Sequence, residues 1–115
     1  MAHTHHGIDY IELVVGDLAR SKAFYGGAFG FTFTDYGPAY TAFTDGRIEG
    51  GFSTEGAPKP GGPLVILYSE DLRASQAAVT KAGARIVKEP FEFPGGRRFH
   101  FADPDGYELA VWSAA

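Results

Sequence analysis

Two short signals recur along this chain at one spacing, and they limit its fold more than any other feature. Asp17-Leu18 is followed by Ser21 and then by Gly30, while Asp71-Leu72 is followed by Ser75 and then by Gly83. The two sets lie roughly 54 residues apart. An Asp at such a position accepts hydrogen bonds from the first free N–H groups of a helix. A Gly after the last turn supplies the left-handed residue that ends one. The pattern predicts one helix over Leu18 to Phe29, with Leu18, Phe24, Tyr25, Ala28 and Phe29 on its apolar stripe. It predicts a second from Leu72 to Ala82, closed by Gly83.

Strand signals surround each helix in the same order. In the first half they are Ile8 to Val15 before the helix, then Phe31 to Tyr36, Tyr40 to Thr44 and Ile48 to Ser53. In the first of these, Ile11, Leu13 and Val15 fall on one face, and Tyr10, Glu12 and Val14 on the other. Asp45-Gly46 marks a hairpin turn. In the second half they are Leu64 to Tyr68, Ala84 to Val87 with Phe91 to Phe93 as an extension, and a final hairpin from Arg97 to Trp112. Each half therefore reads β-α-β-β-β. The fold class is α+β, with units of about 7–53 and 63–113 joined by a Gly- and Pro-rich linker over 54–62. Two helices are too few for a bundle, and strands outnumber helices too far for a doubly wound sheet.

Composition excludes several functions. There is no Cys, so disulfides, thiolate metal sites and cysteine nucleophiles are ruled out. The absence of disulfides fits a cytoplasmic protein. Net charge is −4, which argues against a basic nucleic-acid surface. No run is long and apolar enough to enter a membrane. Met1 to His6 reads as a frayed tail or a cloning remnant.

The chemistry-bearing residues gather in the last hairpin. Asp103-Pro104-Asp105-Gly106 is a turn, with Pro104 pre-setting a negative φ and Gly106 accepting a positive one. Pairing Ala102 with Tyr107 sets Phe101 against Glu108, Phe99 against Ala110 and Arg97 against Trp112. One face then carries Arg97, Phe99, Phe101, Glu108, Ala110 and Trp112, and the other Arg98, His100, Leu109 and Val111. The first face suits a binding cleft, which Tyr10 and Glu12 join. Glu12 is a mid-strand carboxylate among apolar neighbours, and needs compensation. It reads as a general base, as a ligand anchor, or as the partner of Arg97 or Arg98. Arg97 offers a planar fork to a carboxylate or phosphate, or pairs with Glu92 or Glu108. Trp112 and Tyr68 either stack a planar ligand or pack in the core. His100 falls on the helix-facing side as a core histidine; a register shift of one residue would bring it to the other face.

Two tandem βαβββ units, with D-L-x-x-S-x-x-F-Y over Asp17 to Tyr25 and D-P-D-G-Y over Asp103 to Tyr107, resemble the vicinal oxygen chelate superfamily. That superfamily includes glyoxalase I, the extradiol dioxygenases and the bleomycin-resistance proteins. The resemblance implies strongly curved mixed sheets around a cleft, and a homodimer. In the family's enzymes it also implies a divalent metal held by His and Glu from the first and last strands of each unit. The corresponding positions here are Tyr10, a residue near Leu64, Ala110, and the Gly50-Gly51 stretch beside Glu49. A phenol, a methyl and an alkyl group do not replace imidazole and carboxylate.

The expectation is therefore a metal-independent, small-molecule-binding protein without a cofactor, its ligand aromatic or amphipathic. Tyr10, Tyr68, Arg97, Phe99, Phe101 and Trp112 would contact the ligand, with Glu12 and Glu108 as the reactive carboxylates. The alternative is a lyase or isomerase that uses Glu12 and Glu108, or a non-standard metal site among Glu12, His100 and Glu108.

Overall fold

The computed structural model describes residues 3–114, so Met1 and Ala2 of the expected tail lie outside the described residues. The chain divides into two compact units, Met1–Pro58 and Lys59–Ala115. Each is βαβββ, as the repeat predicts.

The first unit contains β1 (Tyr10–Val14), α1 (Leu18–Phe29), β2 (Thr32–Asp35), β3 (Tyr40–Thr44) and β4 (Glu49–Ser53). Its sheet runs β1-β4-β3-β2, with β1 parallel to β4 and the other pairs antiparallel. Asp17 caps α1 by accepting from the Arg20 backbone N–H at 3.0 Å, and Gly30 ends it at φ 74°. Phe24 and Tyr25 of α1 are buried together with Phe43 and Phe52 of the sheet. The Tyr25 ring lies 5.2 Å from Phe52, and Phe52 lies 5.0 Å from Phe43. Gly50 makes this layer fit. A Cβ there would stand 2.2 Å from the Phe43 ring and 2.3 Å from the Ile11 carbonyl.

The second unit contains β5 (Val65–Tyr68), α2 (Leu72–Lys81), β6 (Arg85–Phe93), β7 (Gly96–Ala102) and β8 (Glu108–Ser113). Its sheet runs β5-β8-β7-β6, with β5 parallel to β8. Neither sheet has the strong curvature that the resemblance implied. Asp71 caps α2 through the Ala74 N–H at 3.1 Å, and Gly83 follows the helix at φ 107°. Leu72 and Val79 of α2 are buried, as are Phe99, Phe101, Leu109 and Val111 of the sheet.

Two strand expectations change. Ala84 to Val87 and Phe91 to Phe93 belong to one nine-residue strand, β6. Register shifts between Ile86 and Lys88 and between Lys88 and Phe91 absorb Pro90, which has no N–H to give a regular ladder. The final hairpin is in a different register. Ala102 pairs with Glu108, Phe101 with Leu109, His100 with Ala110, Phe99 with Val111 and Arg98 with Trp112. The Asp103 N–H donates to the Tyr107 carbonyl at 2.9 Å, leaving Pro104, Asp105 and Gly106 as the loop. The Asp103 carboxylate holds that loop by accepting from the N–H groups of Asp105 and Tyr107, each at 2.9 Å.

Candidate functional site

Each sheet turns one face to its helix and leaves the other for chemistry. On the open face of the first sheet, register places Tyr10 and Glu12 of β1 beside Glu49 and Gly51 of β4, and Tyr40 and Ala42 of β3 beside Ser53 and Gly51. Three of these side chains form a chain of hydrogen bonds. The Tyr40 hydroxyl donates to Glu12 Oε1 at 2.8 Å. Its proton being committed, it accepts from the Tyr10 hydroxyl at 2.5 Å. Burial, followed by these two bonds, pushes the Tyr40 phenol well above its usual range. Glu12 is thus compensated by a phenol, and among the described residues no ion pair joins it to Arg97 or Arg98. Gly51 makes the arrangement possible, since a Cβ there would lie 1.9 Å from the Tyr40 oxygen. Every proton in this chain points inward to Glu12. Oε2 of Glu12 and the Tyr10 oxygen therefore remain as acceptors for an outside donor.

Tyr40 is a functional candidate that sequence reasoning missed. Its signal was indirect. A glycine pair inside a strand marks a close approach, and Gly51 is where the Tyr40 ring approaches.

The open face of the second sheet is aromatic. Tyr68 of β5 meets Trp112 of β8 with ring centroids 5.0 Å apart, and Trp112 meets Phe93 of β6 at 6.1 Å. Arg98 of β7 lies over Phe93 and Phe91, 5.6 and 5.4 Å from the two centroids. His100, two residues on, packs beside Phe91 at 5.8 Å, and its Nδ1 meets Glu108 Oε2 at 2.7 Å. An ionised carboxylate only accepts, so Nδ1 carries the proton. The ring is 4% exposed, and its Nε2 is sealed without a hydrogen-bond partner. The Arg98 Nε is sealed and unpartnered in the same way. Each ring contact of Arg98 returns about 0.5–1 kcal/mol. A buried donor without an acceptor costs about 1–3 kcal/mol. The rings hold the guanidinium in place and offset much of that cost, but they give Nε no acceptor.

The observed register corrects three expected ligand contacts. Phe99 and Phe101 are fully buried on the helix face with Leu109 and Val111, so they are core residues. Arg97 shares their side of β7, opposite Ser113 and Glu92, and Arg98 takes the position beside Trp112. His100 moves from the helix side to the open face. Tyr68, Glu108 and Trp112 stand together on that face, and Tyr10 and Glu12 stand on the open face of the other unit.

The chain matches the model of the Glyoxalase/Bleomycin resistance protein/Dioxygenase superfamily over residues 7–111. It belongs to that family. Anthracycline biosynthesis protein DnrV of Streptomyces peucetius is 32% identical over 90% of the chain. The alignment takes in 45% of DnrV, so the chain spans about half the length of that relative. Among solved structures, a glyoxalase-related enzyme from Fulvimarina pelagi has a TM-score of 0.80 at 20% identity, covering 94% of this chain and 88% of its own. TnmS3, an antibiotic binding protein from Streptomyces sp. CB03234, has a TM-score of 0.77 at 22% identity, covering 100% and 99%. At these identities the likeness is one of fold.

Members of the family that are enzymes hold a divalent metal, and the donors here do not fit one. The Tyr10 hydroxyl is bonded to Tyr40, Ala110 offers a fully buried methyl, and Gly50 and Gly51 offer no side chain. Among the described residues, no three of His, Asp and Glu group closely enough to hold a metal ion. His100 and Glu108 are only two, and they are bonded to each other.

Proposed function

We propose that this chain is a small-molecule-binding protein that works without a metal, and that its ligand is a planar aromatic compound. The observation that supports this best is the row Tyr68, Trp112 and Phe93 on the open face of the second sheet. Tyr68 leaves 57% of its surface uncovered there. A flat ligand laid on such rings removes apolar area from both partners, and offset stacking contributes about 0.5–1.5 kcal/mol per ring pair beyond that area. DnrV is an anthracycline biosynthesis protein and TnmS3 an antibiotic binding protein, and both fit a small-molecule ligand.

Trp112 is the only tryptophan in the chain, so its fluorescence reports this face alone. Titration with a panel of fused-ring aromatics should quench it and raise the melting temperature, by mass action on the folded state. Quenching should fall sharply in Tyr68→Ala. A panel that leaves both fluorescence and melting untouched would sink the proposal.

A second reading, a lyase or isomerase acting by proton transfer, is favoured by the His100–Glu108 pair. Glu108 fixes the imidazole tautomer and leaves the lone pair on Nε2, which is sealed in the structure and takes a proton only once a side-chain movement uncovers it. Product analysis of any ligand found in the titration separates the two readings.

A further inference from the structure

Arg98 is the one arginine of the second unit whose surroundings call for something the chain does not supply. Its Nε is sealed and has no acceptor among the described residues. No carboxylate lies within ion-pair distance of it among the described residues. A shortage of acids is not the reason, since the chain has 14 Asp and Glu against 10 Lys and Arg. The nearby acids are committed or point elsewhere. Glu108 is bonded to His100, and Glu92 is opposite Arg97 in the register. The guanidinium is instead held between two rings, Phe91 and Phe93, and Phe93 in turn meets Trp112.

A fixed, unpaired guanidinium set into an aromatic surface matches one kind of molecule. Its two terminal nitrogens, which unlike Nε are not sealed, suit the paired oxygens of a carboxylate, or an acidic phenol or enol oxygen. The adjoining rings suit the flat body that carries such an oxygen. We propose that this face selects aromatic anions, with Arg98 as the residue that recognises the charge. The proposal rests on the binding role given above to the same face, and adds the chemical class of the ligand. Before binding, aromatic packing has already oriented the guanidinium, so little of its conformational freedom remains to be lost when the anion arrives.

Naphthoate and naphthamide make a matched pair of probes, alike in shape and differing in charge. Both would be titrated against Trp112 fluorescence in the intact chain, in Arg98→Met and in Arg98→Lys, with melting curves to confirm folding. The wild type should bind naphthoate about tenfold or more tightly than naphthamide, the range of a charge-assisted hydrogen bond. Arg98→Met should equalise the two by weakening naphthoate alone, and Arg98→Lys should keep part of the difference. Equal binding of both probes to the wild type would overturn the proposal, and this outcome does not depend on any variant folding. A preference for naphthoate that survives Arg98→Met would overturn it as well. Binding of neither probe would remove the aromatic site itself, and the selectivity with it.

Discussion

Replacing Gly51 with Ala tests whether Tyr40 is held where the hydrogen bonds place it. Gly51 is not among the glycines with positive φ, so alanine is allowed by the backbone. On chain entropy alone the substitution should stabilise by about 0.4–1 kcal/mol. Sterics oppose this. The new Cβ would stand 1.9 Å from the Tyr40 oxygen, 2.4 Å from its Cζ and 2.8 Å from the Tyr10 oxygen. Carbon contacts are comfortable near 3.5–4.0 Å, so the ring must withdraw by about 1.5 Å or more. Both bonds of its hydroxyl, at 2.5 and 2.8 Å, are then lost. A hydrogen bond to a carboxylate contributes about 1.5–3 kcal/mol, and one between neutral groups about 1 kcal/mol. Glu12 is exposed, which favours the lower end of that range. Less the entropy gain, the net loss should be about 1–2 kcal/mol.

Tyr40→Ala provides the control. Without the ring, Gly51→Ala meets only the mobile end of Tyr10, and should be neutral or stabilising by up to about 1 kcal/mol. Urea unfolding of the wild type, both single variants and the double variant closes the cycle. A coupling energy of about 2 kcal/mol is expected, with the urea slope unchanged. An equal cost for Gly51→Ala in both backgrounds, or no cost in the wild type, would show that the ring yields without resistance, and the hydrogen-bonded chain would lose its support.

Two titrations follow from the same geometry. The Tyr40 phenol is raised above its ordinary value of 10.0, chiefly by burial. Its stabilising contribution is therefore complete below that value and is lost as pH rises through the higher folded one. Tyr40→Phe should leave the phenolate absorbance developed just above pH 10.0 unchanged, and an immediate drop would contradict the placement of the hydroxyl. Asp35 is lowered from 3.8, first by its hydrogen bond from Lys22 at 2.9 Å. Its contribution is present above 3.8 and lost as pH falls through the lower folded value. Carboxyl NMR titration should show Asp35 returning toward 3.8 in Lys22→Met, and an unmoved value would refute the pairing.

The parts of this fold that were legible in the sequence depend on neighbours a few residues away. Asp17 and Gly30 act within one turn of α1, and Asp71 and Gly83 within one turn of α2, so both helices could be read directly. The Tyr10–Tyr40–Glu12 chain was not legible, because it joins β1 to β3 across β4. Nothing local to Tyr40 distinguishes it from any other strand aromatic. Only the empty space over Gly51 does so, and that space exists once the three strands are in register.

The last hairpin is a different case, because two signals in it disagree. Asp103-Pro104-Asp105-Gly106, taken as a four-residue turn, pairs Ala102 with Tyr107 and sends His100 to the core. Side-chain alternation points the other way. Phe99 and Phe101 pair most favourably with Leu109 and Val111, which leaves Arg98, His100, Glu108 and Trp112 together. Burial of one face outweighs the turn, since the other register would turn Phe99 and Phe101 away from the helix and set Arg98 and His100 beneath it in their place. The loop can follow because it has a three-residue solution. Gly106 takes φ 90°, and the Asp103 side chain accepts the two N–H groups that the shorter loop leaves over. The alternation thus decides the chemistry of the face. It keeps the phenylalanines for the core, and puts on the other face Arg98 and His100, whose sealed nitrogens have no partner among the described residues.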